Sequence, residues 1–176
     1  MRKKIFAISG SASRDSANLK LLNQLTTQVA EELELTIFDR LSTLPHFDPE
    51  LSIENTPIEI INFRKSIEEA DAVIICTPEY IYSIPSGLKN AIEWCVSTTI
   101  FSEKPLGIIT ASANGEKGHE ELQLIMKTVN ALFSDHTVLL IPGIKGKISE
   151  SGVISDEKTA NELSNFMNAF KQLIGI

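Results

Sequence analysis

Cysteine, histidine and basic charge are all scarce in this chain, and each shortage excludes something. Two cysteines, Cys76 and Cys95, are too few for a disulfide framework. Both fall in apolar stretches, so they read as reduced, buried thiols of a cytoplasmic protein. The three histidines, His46, His119 and His136, lie far apart without ligand spacing. They read as surface or loop residues, and no metal site is expected. Lys and Arg number 16 against 23 Asp and Glu, a net charge of -7. A nucleic-acid binder normally presents a basic face, so no nucleic-acid partner is expected. Apolar runs such as Ala72–Cys76 are too short to span a bilayer. The basic opening Met1–Lys4 resembles the start of a secretory signal, but Ser9-Gly10 breaks the apolar stretch Ile5–Ile8 at once, so none is expected. No internal repeat or low-complexity segment stands out.

The familiar phosphate motifs are missing too. Only Gly10 stands where a dinucleotide fingerprint needs three glycines, and Gly146-Lys147 is followed by Ile148 rather than Ser or Thr. Thr77-Pro78 occupies the place where a receiver domain would carry its aspartate.

What remains is an ordinary globular mixture, 43% hydrophobic and 22% charged over 176 residues. That length suits one domain, residues 1–176, with a core that needs no staples. Short apolar runs alternate with amphipathic ones. Strands are predicted at Lys4–Ser9, Leu35–Phe38, Ala72–Thr77, Leu106–Thr110 and Thr137–Ile141. Helical spacing follows them, as in Leu22, Leu25, Val29 and Leu33, or Ile60, Phe63 and Ile67. Thr56-Pro57-Ile58-Glu59 predicts a capping box, and Asp156 predicts the cap of the last helix. A further helix is predicted over Pro85–Val96. Strands without polar alternation imply an α/β fold, a parallel sheet with helices on both faces. Ligands bind such sheets beyond the carboxyl ends of the strands. The connection Asp39–Asn55 is long, and long loops are often functional.

Three loops therefore matter. Ser9–Asn18 leads straight into a helix and holds four serines, Arg14 and Asn18. A helix N-terminus with hydroxyl donors suits a phosphate monoester, although Ser16 acting as a plain cap explains the same residues. Thr77–Trp94 carries Tyr80 and Tyr82, placed to pack beside a planar ring, against another subunit or over the core. Lys89 and Asn90 read as solvated or interface residues. Thr110–His119 has small residues and two glycines, which fits close approach to a flat ligand or a flexible turn.

Taken together, these loops resemble the NADPH-dependent FMN reductase family. The first resembles its Gly-Ser-x-Arg-x-x-Ser-x-Asn signature. The second resembles Pro-Glu-Tyr-Asn-x-Ser-x-Pro-x-x-Leu-Lys-Asn-Ala-x-Asp/Glu-Trp, and Leu44–Pro49 resembles the linker after strand two. The resemblance implies a flavodoxin-like three-layer sandwich with strand order 2-1-3-4-5. It implies FMN as bound cofactor and NADPH or NADH as hydride donor. Small acceptors would be flavin, quinone, azo compound or metal oxyanion. Ser11, Ser16 and Asn18 match positions that hold the FMN phosphate. Pro78, Glu79 and Tyr80 match the segment along the ring, and Ser112 and Ala113 the loop near its pyrimidine edge. Backbone N–H groups around Glu79 and Ser112 would stabilise charge there; no catalytic acid or base is demanded. Two residues depart from the pattern: Ser13 stands where the family usually has arginine, with Arg14 one place later, and Ile81 stands where asparagine is common. A homodimer or homotetramer is implied, with the Tyr82 and Trp94 region at the contact. The competing readings are an electron carrier without acceptor turnover and a cofactor-free binding module.

Overall fold

The computed structural model describes residues 2–149 and 151–176; Met1, the first residue of the basic opening, lies outside them. Five strands, β1 (Lys3–Ser9), β2 (Leu33–Phe38), β3 (Ala72–Thr77), β4 (Leu106–Ser112) and β5 (Val138–Pro142), pair in parallel in the order β2-β1-β3-β4-β5. The helices α1 (Ala17–Val29), α2 (Ile58–Glu69), α3 (Ser86–Glu93), α4 (Glu116–Thr128) and α5 (Glu157–Leu173) alternate with them.

An apolar residue at every position of a strand fills two cores at once, because successive side chains point to opposite faces. Phe6, Ile8, Val73, Ile75 and Ile108 pack on one face, with Ile60 and Phe63 of α2, Leu88 of α3, and Leu122 and Met126 of α4. Ile5, Ala7, Ile74, Cys76 and Ile109 pack on the other, with Leu21, Leu22 and Leu25 of α1 and Phe166 and Phe170 of α5. β3 and β4 are buried throughout, whereas the edge strand β2 is half exposed. Chain order reverses between β1 and β3, so the loops after Ser9 and Thr77 part around a crevice. The register sets Ser9 opposite Cys76, Thr77 opposite Thr110 and Ser112 opposite Pro142, which aligns the three loops along one edge.

Two predicted caps form. Ser16 accepts from Leu19 N at 3.0 Å, and Asp156 accepts from Thr159 N at 2.8 Å. The Thr56 capping box does not. Pro57, with extended backbone, takes the N-cap position, so Thr56 sits one residue too early and its hydroxyl turns back to Leu51 O at 2.8 Å. The third helix is shorter than predicted, ending at Glu93 in a turn.

The long connection after β2 is spent on the fold. Asn90 accepts from Phe47 N at 2.7 Å and donates to Pro45 O at 2.9 Å. Trp94 Nε1 donates to the same carbonyl at 2.8 Å, with its ring edge-on to Phe47 at 5.4 Å. Arg64 reaches from α2 to Trp94 O at 2.8 Å and to Ser52 Oγ at 2.8 Å. Trp94 is fully buried, so it belongs to the core and not to a subunit contact. Asn90 is likewise a staple between elements rather than a solvated residue, because its amide pairs the Phe47 N–H and shares the Pro45 C=O with Trp94.

β1 and β3 approach most closely where Gly10 follows β1. Gly10 N donates to Cys76 O at 2.8 Å, and a Cβ on Gly10 would lie 2.3 Å from Thr77 Oγ1 and 2.6 Å from Thr77 Cβ. Gly10→Ala should therefore lower stability by roughly 1–3 kcal/mol, the usual cost of overpacking. Urea unfolding checks this, and an unchanged midpoint would show that the two strand ends are not in contact.

Candidate active site

The first loop forms a pocket of donors. Ser16 has extended backbone and caps α1. Its oxygen accepts from Leu19 N, which leaves the hydroxyl proton free to donate. Among the described residues no acceptor meets the backbone N–H of Ala12, Arg14, Asp15, Ser16, Ala17 or Asn18. Ser11 is buried; its Oγ accepts from Ser13 N at 3.2 Å and lies 3.3 Å from Tyr80 Oη. Asp15 pairs with Lys20 at 3.0 Å, which offsets the one carboxylate of the loop. Ser13 and Arg14 are exposed.

Asn18 lies beneath this loop. Its Nδ2 donates to Ala111 O at 3.0 Å, and its Oδ1 accepts from Cys76 Sγ at 3.3 Å. The side chain thus ties α1 to the ends of β3 and β4, and its backbone N–H remains for a ligand. Burial pushes the Cys76 thiol up, so it stays protonated and acts as a small donor. Cys95 is pushed up to about 12 by burial, slightly opposed by Arg64.

The second and third loops are welded together. Glu79 N donates to Ser112 Oγ at 3.1 Å, and the same hydroxyl lies 3.4 Å from Glu79 O. The Glu79 carboxylate accepts from Gly115 N at 3.3 Å and Gly118 N at 2.8 Å, capping α4 from outside. A carboxylate at this end also meets the positive end of the helix dipole. Gly118 packs closely here, since a Cβ there would lie 3.3 Å from Glu79 Cβ and from Ser83 O. Both glycines of this loop also serve the fold: Gly115 takes φ +97 at the cap, and Gly118 packs against Glu79. Glu121 returns the link, accepting from Ser83 Oγ at 2.7 Å and Ile84 N at 3.0 Å. Nothing in the local sequence marks Glu121, a helical glutamate, as a partner for a loop 37 residues earlier.

Pro78 and Ser112 are buried, and Ala113 is exposed with its carbonyl accepting from Gly143 N at 3.1 Å. Because Ser112 takes the Glu79 N–H, the unspent backbone donors of these loops outside the helices are, among the described residues, those of Ile81, Tyr82, Ala113 and Asn114. The site is therefore an arrangement of neutral donors at a strand-end crevice. A hollow of about 530 Å³ beside Leu139, Leu140 and Phe166 opens elsewhere, on the outer edge between β5 and α5. No cluster of three or more metal-ligating side chains occurs among the described residues.

His119 is not the surface or loop histidine expected. It lies in α4, half-buried, with Nδ1 2.8 Å from Thr110 Oγ1.

An open parallel sheet with donors at its switch point defines a flavodoxin-like protein whose loops suit a phosphorylated ligand. The family model for NADPH-dependent FMN reductase matches residues 3–144, and the chain belongs to that family. It is an NAD(P)H-dependent oxidoreductase that works with FMN. The chain is similar to a quinone reductase of Escherichia coli, at 26% identity covering 97% of this chain and 95% of the relative. It is similar to an NAD(P)H:quinone oxidoreductase of Solanum tuberosum, at 28% identity over 97% and 92%. Among solved structures it is similar to FerB, a flavoenzyme NAD(P)H:(acceptor) oxidoreductase from Paracoccus denitrificans. That match has TM-score 0.86 and 28% identity, covering 98% of this chain and 97% of FerB.

Burial holds the His119 pKa below its ordinary 6.5, with Glu120 opposing. The native state therefore binds the proton less readily than the unfolded chain does. The His119 contribution to stability is complete above pH 6.5 and is lost as pH falls through the lower native pKa. His119→Gln should flatten this acid-side slope. Urea midpoints measured from about pH 7.5 to about pH 5 check it, and identical slopes in both proteins would contradict it.

Proposed function

We propose that the crevice seats FMN with its phosphate at the N-terminus of α1. The ring then lies along Pro78–Tyr82, with its pyrimidine edge by Ser112 and Ala113. The observation that carries this reading is the donor set. Backbone N–H groups without acceptors surround Ser16, whose hydroxyl has a proton to give, at the positive end of a 13-residue helix. Ser11, Ser13 and Ser16 supply neutral donors where the family usually adds arginine. Arg14, exposed and without a bond to any described residue, supplies long-range positive charge. Asn18 positions the loop through Ala111 and Cys76, and contacts the phosphate through its backbone N–H alone.

Bound FMN supplies the two-electron chemistry; the chain supplies binding, orientation and electrostatics. The N–H groups of Ile81, Tyr82, Ala113 and Asn114 are preorganised to stabilise negative charge at the ring edge. Glu79 does not touch the ring in this account. It holds Gly115 and Gly118, and so fixes the loop that carries two of those donors.

Electrons pass from NAD(P)H to a small acceptor, a quinone or a free flavin in the first instance. The similarity to a quinone reductase and an NAD(P)H:quinone oxidoreductase supports that choice. We place the protein in the cytoplasm, in keeping with two buried free thiols. A homodimer or homotetramer is supported by the exposed apolar residues Ile53, Ile61 and Val96, which flank the Ser52–Arg64–Ser97 clasp.

Ser16→Ala tests the phosphate assignment. Loss of the cap should cost about 1 kcal/mol of stability. Loss of a hydrogen bond to a charged group should cost roughly 1.5–3 kcal/mol of FMN binding, on the order of a ten- to hundredfold weaker Kd. Flavin fluorescence titration beside urea unfolding separates the two, and unchanged FMN affinity would remove Ser16 from the site.

A further inference from the structure

The turn between Glu79 and Ile84 carries a strain that the fold does not use. Tyr80 N donates to Ser83 O at 2.9 Å and Ser83 N to Tyr80 O at 3.1 Å, closing a two-residue turn. Its central residues, Ile81 and Tyr82, have φ of 52° and 58°. Such turns favour Asn-Gly, because left-handed backbone crowds a side chain, and most of all a β-branched one. Asn55 and Asn130, by contrast, take the same backbone region with the residue type that tolerates it. Nothing inside the protein offsets the strain at Ile81. Its side chain is 95% exposed and that of Tyr82 is 74% exposed, so neither contributes to the core. The turn is nevertheless held firmly, by Glu121 on Ser83 and Ile84 and by Glu79 on α4. A rigid, strained tip that presents apolar surface outward indicates a contact with something from outside.

Position and charge indicate what that contact is. Tyr80, the first residue of the turn, meets Ser11 across the crevice, so Ile81 stands at the rim of the FMN seat. The surroundings are acidic. Glu79, Glu116, Glu120 and Glu121 are close in the structure or sequence, Lys117 is paired with Glu120 at 2.8 Å, and the whole chain carries -7. An anionic acceptor is repelled there, and an uncharged flat one is not.

We propose that Ile81 is a specificity-determining residue, whose outward side chain gives apolar contact to a planar acceptor of the quinone class, while the surrounding carboxylates disfavour an anionic one. This inference rests on the FMN seat described above. The test uses the FMN-loaded, oxidised protein, with naphthoquinone and naphthoquinone sulfonate as probes and calorimetry as the readout. The wild type should bind naphthoquinone roughly fivefold or more tighter than the sulfonate, because the surrounding carboxylates repel the added charge. Ile81→Asn should unfold at a higher temperature, since asparagine tolerates this backbone, yet bind both probes roughly fivefold more weakly, because they share the ring that Ile81 touches and a few tens of Å² of apolar contact carry that factor. Ile81→Leu, which keeps an apolar side chain, should keep both affinities. In Ile81→Asn stability and affinity thus move in opposite directions, which a folding defect cannot mimic. Unchanged naphthoquinone affinity in Ile81→Asn, or equal wild-type affinity for the two probes, overturns the proposal. So does a drop in mass by light scattering with quinone binding intact, which would make the tip a contact between copies. FMN uptake is measured on the same samples. Failure to take up FMN defeats the functional reading, whereas full uptake without a change in quinone affinity in Ile81→Asn defeats only the role of Ile81.

Discussion

The carboxylate of Glu79 is the contact on which the functional edge of the sheet depends. It leaves the loop after β3, crosses to the helix after β4, and engages two backbone N–H groups at 2.8 and 3.3 Å. Such charge-assisted bonds to a helix N-terminus are worth more than neutral ones. Glu121 answers from the same helix, and Ser112 closes the remaining gap to the Glu79 backbone. The loop conformation is therefore set before any ligand arrives, so a ligand need not supply the cost of ordering it.

This welding divides the loops by task. Groups at the β3–β4 side spend their hydrogen bonds on each other, which leaves a few defined N–H groups over. Groups at the β1 side spend almost none. Gly10 is locked against Cys76 and Thr77, Ser11 meets Tyr80, and from Ala12 to Asn18 every backbone donor except that of Ser13 is left unpaired among the described residues. One side is rigid and nearly saturated, and the other is rich in donors. That asymmetry fits a ligand with a flat ring at one end and a phosphate at the other. It also fits membership of the NADPH-dependent FMN reductase family.

The strands were legible in the sequence because burial on both faces leaves an unbroken apolar run, as in Ala72–Thr77. Ser16 and Asp156 were legible because a cap is a local interaction across three residues. Thr56 misled because its neighbour Pro57 can begin a helix as the cap or as the first helical residue, and the pattern of types is the same for both. Trp94 and Asn90 misled because their partner, Pro45, lies 49 and 45 residues away. The candidate site residues stand at motif positions, but the partners of their side chains cannot be read there. The resemblance sets Glu79 along the ring, and its carboxylate caps α4. It sets Asn18 at the phosphate, and its amide turns inward to Ala111. Contacts of this length depend on the assembled sheet, and nothing in the local sequence encodes them.

The central claim is that the donors at the start of α1 hold a phosphate and thereby a flavin. Parallel titrations of the apoprotein with FMN and with riboflavin, which lacks the phosphate, test it most directly. The account predicts that FMN binds roughly a hundredfold or more tighter than riboflavin, as two or more charge-assisted hydrogen bonds require. Equal affinity for the two, or no uptake of FMN, would contradict it.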